Sequence, residues 1–112
     1  MRIDKHKMIK KDHEFTPKVA ILFAAYNECA VIKNKIKSIL ESSYPLEKIE
    51  IWIGSDLSND GTDEIVQDIQ KVHTNIHSYR AAKRMGKSGI MNILVEKTDA
   101  EIIIATDANI LF

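Results

Sequence analysis

Residues 19 to 24 read Val-Ala-Ile-Leu-Phe-Ala, a run that contains no polar side chain. This pattern is typical of a strand in a parallel sheet that is covered by helices on both faces. A strand with one solvent-exposed face instead alternates between apolar and polar residues. The next apolar residues recur at helical spacing: Ile32, Ile36, Ile39 and Leu40. The stretch therefore predicts a buried central strand followed by an amphipathic helix.

The same alternation of short apolar runs and helical stretches continues along the chain. Strands are predicted at residues 49–53, 76–79 and 101–106, and helices at residues 65–72 and 86–95. The order of these elements predicts a parallel, doubly wound α/β sheet with right-handed crossovers. Every loop from a strand to a helix should then emerge at one edge of the sheet.

The composition limits the class of protein. The 112 residues allow one domain or a piece of one. Apolar residues form 45% of the chain and charged residues 29%, which is ordinary for a globular α/β protein and too apolar for disorder. Sixteen basic and sixteen acidic residues cancel, so no overall field draws the chain to nucleic acid or anionic lipid.

Residues 1–16 are polar and precede Pro17. They are predicted to be a leader or linker, with a basic membrane-facing segment as the alternative, and residues 17–112 to be the folded part. No apolar stretch approaches the roughly 20 residues of a membrane span. We expect a cytoplasmic chain, or one on the cytoplasmic face of a membrane in a full-length parent protein.

Cys29 is the single cysteine, which excludes an internal disulfide and suits a reducing compartment. It is interpreted as a small buried apolar residue rather than a nucleophile, because no histidine lies near it in the sequence. The four histidines lack the spacing of a zinc site: His6, His13, His73 and His77.

Polar side chains concentrate in the loops expected at one sheet edge. These loops span residues 25–28, 55–62 and 107–109, with residues 80–88 beside them. Asp56 follows the second strand, where its carboxylate either accepts hydrogen bonds from a base or ribose or caps the next helix. Asp60 and Thr62 stand closer to that helix and are better capping candidates, while Asn27 is predicted to cap the first helix.

The stretch from Arg84 to Gly89 places two cations at the predicted start of the third helix. Backbone N–H groups and the helix dipole favour a phosphate there, with Arg84 or Lys87 adding charge, unless both side chains are merely solvated. Gly86-Lys87-Ser88 is also similar to a Walker A loop, but that motif needs a glycine where this chain has Ala81.

Asp107 and Asn109 follow the apolar run of the fourth predicted strand. Oxygen ligands at the carboxyl end of a buried strand suit a hard cation such as Mg²⁺ or Mn²⁺ that leaves room for substrate phosphates. Asp and Asn also form ordinary turns. The metal-site interpretation of Asp107-Ala108-Asn109 is favoured because Asp56 and the segment from Arg84 to Gly89 should lie at the same sheet edge. Contacts to a base, a phosphate and a metal would then lie in one cleft.

As a set, these residues resemble the N-terminal, nucleotide-binding half of a family 2 glycosyltransferase of the GT-A fold. Four segments carry the resemblance: Pro17 to Glu28, Ser55 to Ile65, Arg84 to Asn92 and Ile104 to Asn109. The resemblance implies a Rossmann-like parallel sheet with flanking helices, here truncated after the fourth strand.

The resemblance also implies the nucleotide-binding residues: Ala25, Tyr26, Glu28, Asp56, Arg84, Lys87 and Asp107. Ala25 and Tyr26 would lie against the base, which Asp56 would bind. Arg84 and Lys87 would approach the diphosphate.

By the same resemblance, Asp107-Ala108-Asn109 stands where the family has its D-x-D motif. The last position of that motif usually ligates the metal. Here it is Asn109, a neutral ligand, which lowers the expected metal affinity or moves the burden to Asp107. Leu57 is a second departure, because many relatives carry a small residue there.

The implied reaction transfers a sugar from a nucleotide diphosphate sugar, with a UDP-sugar favoured, to a saccharide or lipid with inversion at the anomeric carbon. A divalent cation, Mg²⁺ or Mn²⁺, neutralises charge on the leaving diphosphate. The general base of this family lies beyond the D-x-D motif and hence beyond Phe112. We expect the chain alone to bind a donor nucleotide weakly and to transfer no sugar.

Two alternatives stay open. A P-loop-like NTPase is the first, since residues 86–88 and the apolar run before Asp107 are similar to Walker A and Walker B elements. A non-catalytic nucleotide-binding fragment is the second. Its fourth strand would leave an unpaired sheet edge, through which a homo-oligomer can form.

Overall fold

The computed structural model describes residues 17–41 and 45–107, which form one sheet with helices on both faces. The strands are β1 (Val19–Ala25), β2 (Ile49–Ser55), β3 (Ile76–Arg80) and β4 (Ile102–Ala105). The helices are α1 (Ile32–Leu40), α2 (Thr62–Gln70) and α3 (Gly86–Lys97), and a 3-10 turn spans Leu46–Lys48. None of the described helices has the length and apolar character to cross a lipid bilayer.

All four strands run parallel, in the order β3-β2-β1-β4. The chain builds the sheet from β1 through β2 to β3, then crosses back and places β4 on the other side of β1. The predicted parallel α/β sheet is therefore confirmed. The tip of β1 is also the point where the strand order reverses, which is where open α/β sheets bind their ligands.

The two faces of β1 pack against different helices, because successive side chains of a strand point in opposite directions. Val19, Ile21 and Phe23 belong to the core beneath α1 and α2, whereas Ala20 and Leu22 pack with α3. All five side chains are fully buried. Burial on both faces explains why the run at residues 19–24 contains no polar residue.

Gly54 in β2 allows α3 to approach the sheet closely. A Cβ atom at this position would lie 2.2 Å from Cγ2 of Ile90 and 3.3 Å from Cδ1 of Leu94. Contacts under 3 Å are too short for real Cβ atoms, so any larger residue would push α3 away from the sheet. The close packing holds the start of α3 beside the carboxyl end of β2.

β4 differs from the buried strand that its apolar sequence predicts. Within residues 17–41 and 45–107 it pairs with β1 alone, and Ile103 is 40% exposed although Ile104 is buried. The prediction of a buried strand was wrong for Ile103, because β4 lies at an edge of the described sheet, as the alternative with an unpaired fourth strand expects. Val72, predicted within the second helix, was also misplaced: it lies beyond α2 and is 74% exposed.

Candidate functional site

A cleft opens at the carboxyl ends of the strands, where the loops after β1, β2 and β4 meet the start of α3. Its volume is about 210 Å³, and its lining residues are Ala24, Ala25, Tyr26, Glu28, Asp56, Arg84, Gly86, Lys87 and Asp107. The cleft brings together every residue that the sequence predicts to bind a nucleotide. Asn109, the second predicted metal ligand, lies outside the described residues.

Asp56 is the buried anchor of the cleft, with only 3% of its surface exposed. Its Oδ1 accepts the Met85 N–H at 2.7 Å, and its Oδ2 accepts the Gly86 N–H at 3.0 Å and the Arg84 Nε–H at 3.1 Å. Burial alone would raise the pKa of Asp56, but these donors outweigh it and leave the pKa below its ordinary value. Asp56 therefore stays ionised and caps α3, not the helix α2 that follows it in sequence.

Arg84 joins Asp56 to the aromatic ring of Tyr26. Its guanidinium carbon lies 3.5 Å from the centroid of the Tyr26 ring, within the range of a cation–π contact. The Arg84 side chain remains about half exposed. A flat ring, a guanidinium plane and a carboxylate thus share one wall of the cleft.

The opposite wall holds a more exposed ion pair. Lys87, in the first turn of α3, places its Nζ 3.0 Å from Oδ2 of Asp107, just past the end of β4. Both side chains are solvent-accessible, so water and salt weaken the attraction between them. Asp56 and Asp107 therefore each face a cation in the cleft, while Glu28 adds a third carboxylate to its lining.

A comparison with protein families identifies the family of the chain. The sequence model described as Glycosyl transferase family 2 matches residues 20–111. The chain belongs to glycosyl transferase family 2. The match runs from the second residue of β1 past Asp107, so it covers all of the described sheet except Val19, and every residue of the cleft.

Two curated relatives show how similar this family 2 chain is to others. The beta-monoglucosyldiacylglycerol synthase of Nostoc sp. is 37% identical over 95 residues, which cover 83% of this chain and 20% of the relative. The poly-beta-1,6-N-acetyl-D-glucosamine synthase of Staphylococcus epidermidis is 30% identical over 102 residues, which cover 91% of this chain and 24% of the relative. The chain thus spans about a fifth to a quarter of the length of these relatives.

Solved structures agree with the fold. A mannosyltransferase from Pyrobaculum calidifontis, solved with GDP-Man and Mn²⁺, is 30% identical with a TM-score of 0.81, covering 86% of this chain and 28% of that one. TarS from S. aureus shares the fold at 19% identity, with a TM-score of 0.76 over 82% of this chain and 26% of that one. The Rossmann-like GT-A sheet implied by the sequence is confirmed.

The P-loop alternative finds no support in the geometry of the family 2 cleft. A P-loop directs successive backbone N–H groups at phosphate oxygens. Here the N–H groups of Met85 and Gly86 point at the carboxylate of Asp56. Ala81, where the motif needs a glycine, is buried.

Hydrogen bonds join the loop after β1 to the loop after β2 and to the first residue of α2. Backbone N–H groups of Asn27, Glu28 and Cys29 donate to the side chains of Ser58, Thr62 and Asp60, and the Asn59 N–H donates to Asn27 Oδ1. The prediction that Asn27 caps α1 was wrong, because this contact engages its side chain and α1 begins without a side-chain cap. These bonds hold the loop that carries Tyr26 against the loop that carries Asp56.

Asp60 lies at the start of α2, as predicted, and its Oδ1 accepts the Thr62 N–H at 3.1 Å. The Thr62 hydroxyl is the main cause that lowers the pKa of Asp60 to about 2. Cys29 is half-buried, so its interpretation as a small buried apolar residue was wrong. A hydrogen bond with Asp60 raises the pKa of the Cys29 thiol, which keeps the thiol protonated and argues against a nucleophile.

The donor set at the cleft fits a cation that arrives with a phosphate ligand. Within the described part of the chain, no group of three or more His, Cys, Asp or Glu side chains could hold a metal by itself. Asp107 presents one carboxylate to the cleft. Mg²⁺ and Mn²⁺ commonly take one or two protein carboxylates and complete their shell with phosphate oxygens and water.

Lys35 is a residue near the site that the sequence analysis missed. It is fully buried on α1, and its Nζ lies 3.0 Å from Oγ1 of Thr106. Burial lowers the pKa of Lys35, and the nearby Asp107 carboxylate opposes that shift. A signal was available in the sequence, because residue 35 lies one helical turn from Ile32 and Ile39, which both face the core.

Proposed function

We propose that this chain is the donor-binding half of an enzyme that transfers a sugar from a nucleotide diphosphate sugar. The observation that carries the proposal is the single cleft in which Tyr26, Asp56, Arg84, Lys87 and Asp107 meet. A ring and a carboxylate suit a nucleobase, cationic side chains suit a diphosphate, and a second carboxylate suits a divalent cation. The mannosyltransferase of Pyrobaculum calidifontis, solved with GDP-Man and Mn²⁺, supports this assignment.

Ala25, Tyr26 and Asp56 would recognise the base, in a loop that includes Glu28. Asp56 can accept the ring N–H of uracil, which favours a UDP-sugar, although guanine offers a comparable N–H group. Arg84 would then turn from Asp56 towards the diphosphate, because its exposed guanidinium can move while the backbone donors of α3 keep Asp56 in place. Asp56 would thus exchange the guanidinium of Arg84 for the N–H group of the base as a hydrogen-bond donor.

Asp107 would hold a divalent cation, Mg²⁺ or Mn²⁺, with Asn109 as the second proposed ligand. When bound, the cation would stabilise the negative charge of the leaving diphosphate. Lys87 would turn from Asp107 to the phosphate oxygens, since it is exposed and lies in the first turn of α3, where the helix dipole also favours an anion.

We further propose inversion at the anomeric carbon, with a general base that lies outside this chain. Such a base must reach the acceptor hydroxyl and be able to take its proton. Asp56 is engaged by three donors of the chain and Asp107 is paired with Lys87, so neither of these carboxylates suits the task, and Glu28, the third carboxylate of the cleft, lies in the loop proposed to recognise the base. The chain alone should bind a donor nucleotide weakly and transfer no sugar.

Calorimetric titration of the 112-residue chain with UDP, GDP and ATP, each with and without Mn²⁺, tests the proposal. We expect weak binding of UDP or GDP that Mn²⁺ strengthens, and weaker binding of ATP. Tighter binding of ATP would favour the NTPase alternative. Absence of binding to all three nucleotides would contradict the proposed function.

The edge of β4 supports a proposal about self-association. Ile103 is exposed there, and unpaired backbone groups of an edge strand can pair with a second chain. A homo-oligomer should then appear in sedimentation velocity as the concentration rises, whereas a strictly monomeric species would count against it. The cytoplasmic location, a saccharide or lipid acceptor and the absence of a nucleic acid partner stay predictions.

A further inference from the structure

Lys35 is a charged residue in an apolar environment. It lies on the core-facing side of α1 beside Ile36, and none of its surface is exposed to solvent. Removing an ammonium group from water is strongly unfavourable unless neighbouring groups compensate. A lysine at such a position therefore needs a reason beyond packing, because a leucine or methionine would fill the same space at no such cost.

The ammonium of Lys35 reaches the end of β4. It donates a hydrogen bond to the hydroxyl of Thr106 and lies 5.7 Å from the ring centroid of Phe23. The backbone N–H of Thr106 donates to the Leu22 carbonyl at 2.9 Å, so Thr106 is tied to β1 as well as to α1. The residue after Thr106 is Asp107, whose carboxylate lines the cleft and is the proposed cation ligand.

Two lysines from helices on opposite faces of the sheet therefore converge on the end of β4. Lys87 approaches from α3 and Lys35 from α1, and the charges of Lys35 and Asp107 attract each other. Lys87 is exposed and can move to an anionic ligand. Lys35 is enclosed by the core and hydrogen-bonded to Thr106, so its amine group stays beside the end of β4.

We propose that Lys35 is a positioning residue for the donor site, which through Thr106 holds Asp107 where the cation of a nucleotide diphosphate binds. The inference rests on the proposed function. Lys35 does not touch the ligand; it sets the place of the carboxylate that does. Removing its ammonium should weaken binding that depends on the cation more than binding that does not.

The test uses the full chain and whichever of UDP and GDP binds it more tightly. Calorimetry measures the Kd with and without Mn²⁺ for Lys35→Met, and for Lys33→Met as a matched control on the exposed side of the same helix. We expect Lys35→Met to raise the Kd measured with Mn²⁺ by about tenfold, because the loss of residues that hold metal ligands in place weakens metal binding by about that factor. The Kd without Mn²⁺ should change by less than about twofold, and Lys33→Met should match the unmodified chain in both.

Thermal denaturation separates positioning from a purely structural role. Lys35→Met should melt no lower than the unmodified chain, because an apolar side chain of similar length replaces a buried charge. Thr106→Val, which removes the hydroxyl but keeps the shape, should reproduce the loss of Mn²⁺-dependent affinity. The double variant should be no weaker than Lys35→Met alone, because both changes break one contact.

Several outcomes would overturn the inference. Equal Kd values for Lys35→Met and Lys33→Met would do so. A loss of nucleotide affinity in Lys35→Met that is the same with and without Mn²⁺, and that accompanies a lower melting temperature, would also do so. If Lys35→Met does not fold, unchanged Mn²⁺-dependent affinity in Thr106→Val would overturn it instead. A failure of the unmodified chain to bind UDP and GDP would refute the proposed function itself, and is thereby distinguishable.

Discussion

The two corners of the cleft are built in different ways. The base corner, formed by Tyr26, Asp56 and Arg84, has a buried carboxylate that accepts two backbone N–H groups and a guanidinium. The diphosphate corner, formed by Lys87 and Asp107, has one solvent-accessible ion pair between side chains. The first is part of the fold, because it closes the start of α3, whereas the second can rearrange without disturbing the sheet.

This difference predicts that substitutions in the base corner reduce both stability and binding, and that substitutions in the diphosphate corner reduce binding alone. The largest effect is expected for Asp56→Ala. It leaves the N–H groups of Met85 and Gly86 without their acceptor and should lower the free energy of unfolding by about 2–4 kcal/mol. Urea denaturation measures this loss, and titration should show that UDP binding is abolished.

Asp56→Asn is the matched control, because it keeps the size of the side chain and one acceptor oxygen. It should fall between the unmodified chain and Asp56→Ala in stability. If Asp56→Ala bound UDP as well as the unmodified chain, the assignment of Asp56 to base recognition would be lost. Unchanged stability would contradict its role in closing α3.

Arg84→Ala should have an intermediate effect. It removes the guanidinium from the Tyr26 ring and from Asp56, but the side chain is half exposed, so the loss of stability should be only about 1 kcal/mol. The affinity for UDP should fall by about tenfold, which corresponds to about 1.4 kcal/mol. Arg84→Lys keeps the charge without the planar stacking; if it restored full affinity for UDP, charge alone would explain the contribution of Arg84.

Acid should destabilise the loop that carries the base corner. The pKa of Asp60 is lowered from 3.8 to about 2 in the folded chain, and that of Asp56 is also lowered. A carboxylate whose folded pKa is depressed stabilises the fold above its unfolded pKa, and this contribution is lost as the pH falls through the folded value. The stability difference between the unmodified chain and Asp60→Asn should therefore shrink as the pH falls from 3.8 towards about 2.

Denaturant titrations at several acidic pH values measure that difference. A constant gap between the two proteins across this pH range would show that Asp60 has an ordinary pKa in the folded chain.

Lys87→Met should have the smallest effect on stability, below about 1 kcal/mol, because exposed ion pairs contribute little. Its effect should appear in ligand preference instead. The affinity for UDP should fall while the affinity for uridine stays the same, since Lys87 is expected to contact phosphate oxygens. An equal loss for uridine and UDP would mean that Lys87 acts on the base corner, and the contrast between the corners would fail.

Sequence reasoning succeeded where periodicity carries the information. The apolar run of β1 and the helical spacing of Ile32, Ile36 and Ile39 predicted elements that the structure confirms, because burial on one or both faces requires those patterns. It failed for the burial of Ile103 in β4, which is an edge strand of the described sheet, and for Asn27, whose side chain binds the neighbouring loop instead of a helix end.

Local patterns of apolar residues were enough to predict the alternation of strands and helices, and with it the presence of Tyr26, Asp56 and Asp107 at one edge of a parallel sheet. The partners of those residues depend on how the folded elements pack together. Asp56 meets its donors 28 to 30 positions later in the chain, and Lys35 meets Thr106 after 71 positions. Local patterns record which side of an element is buried, whereas contacts over such separations depend on strand order, register and the seating of each helix on the sheet.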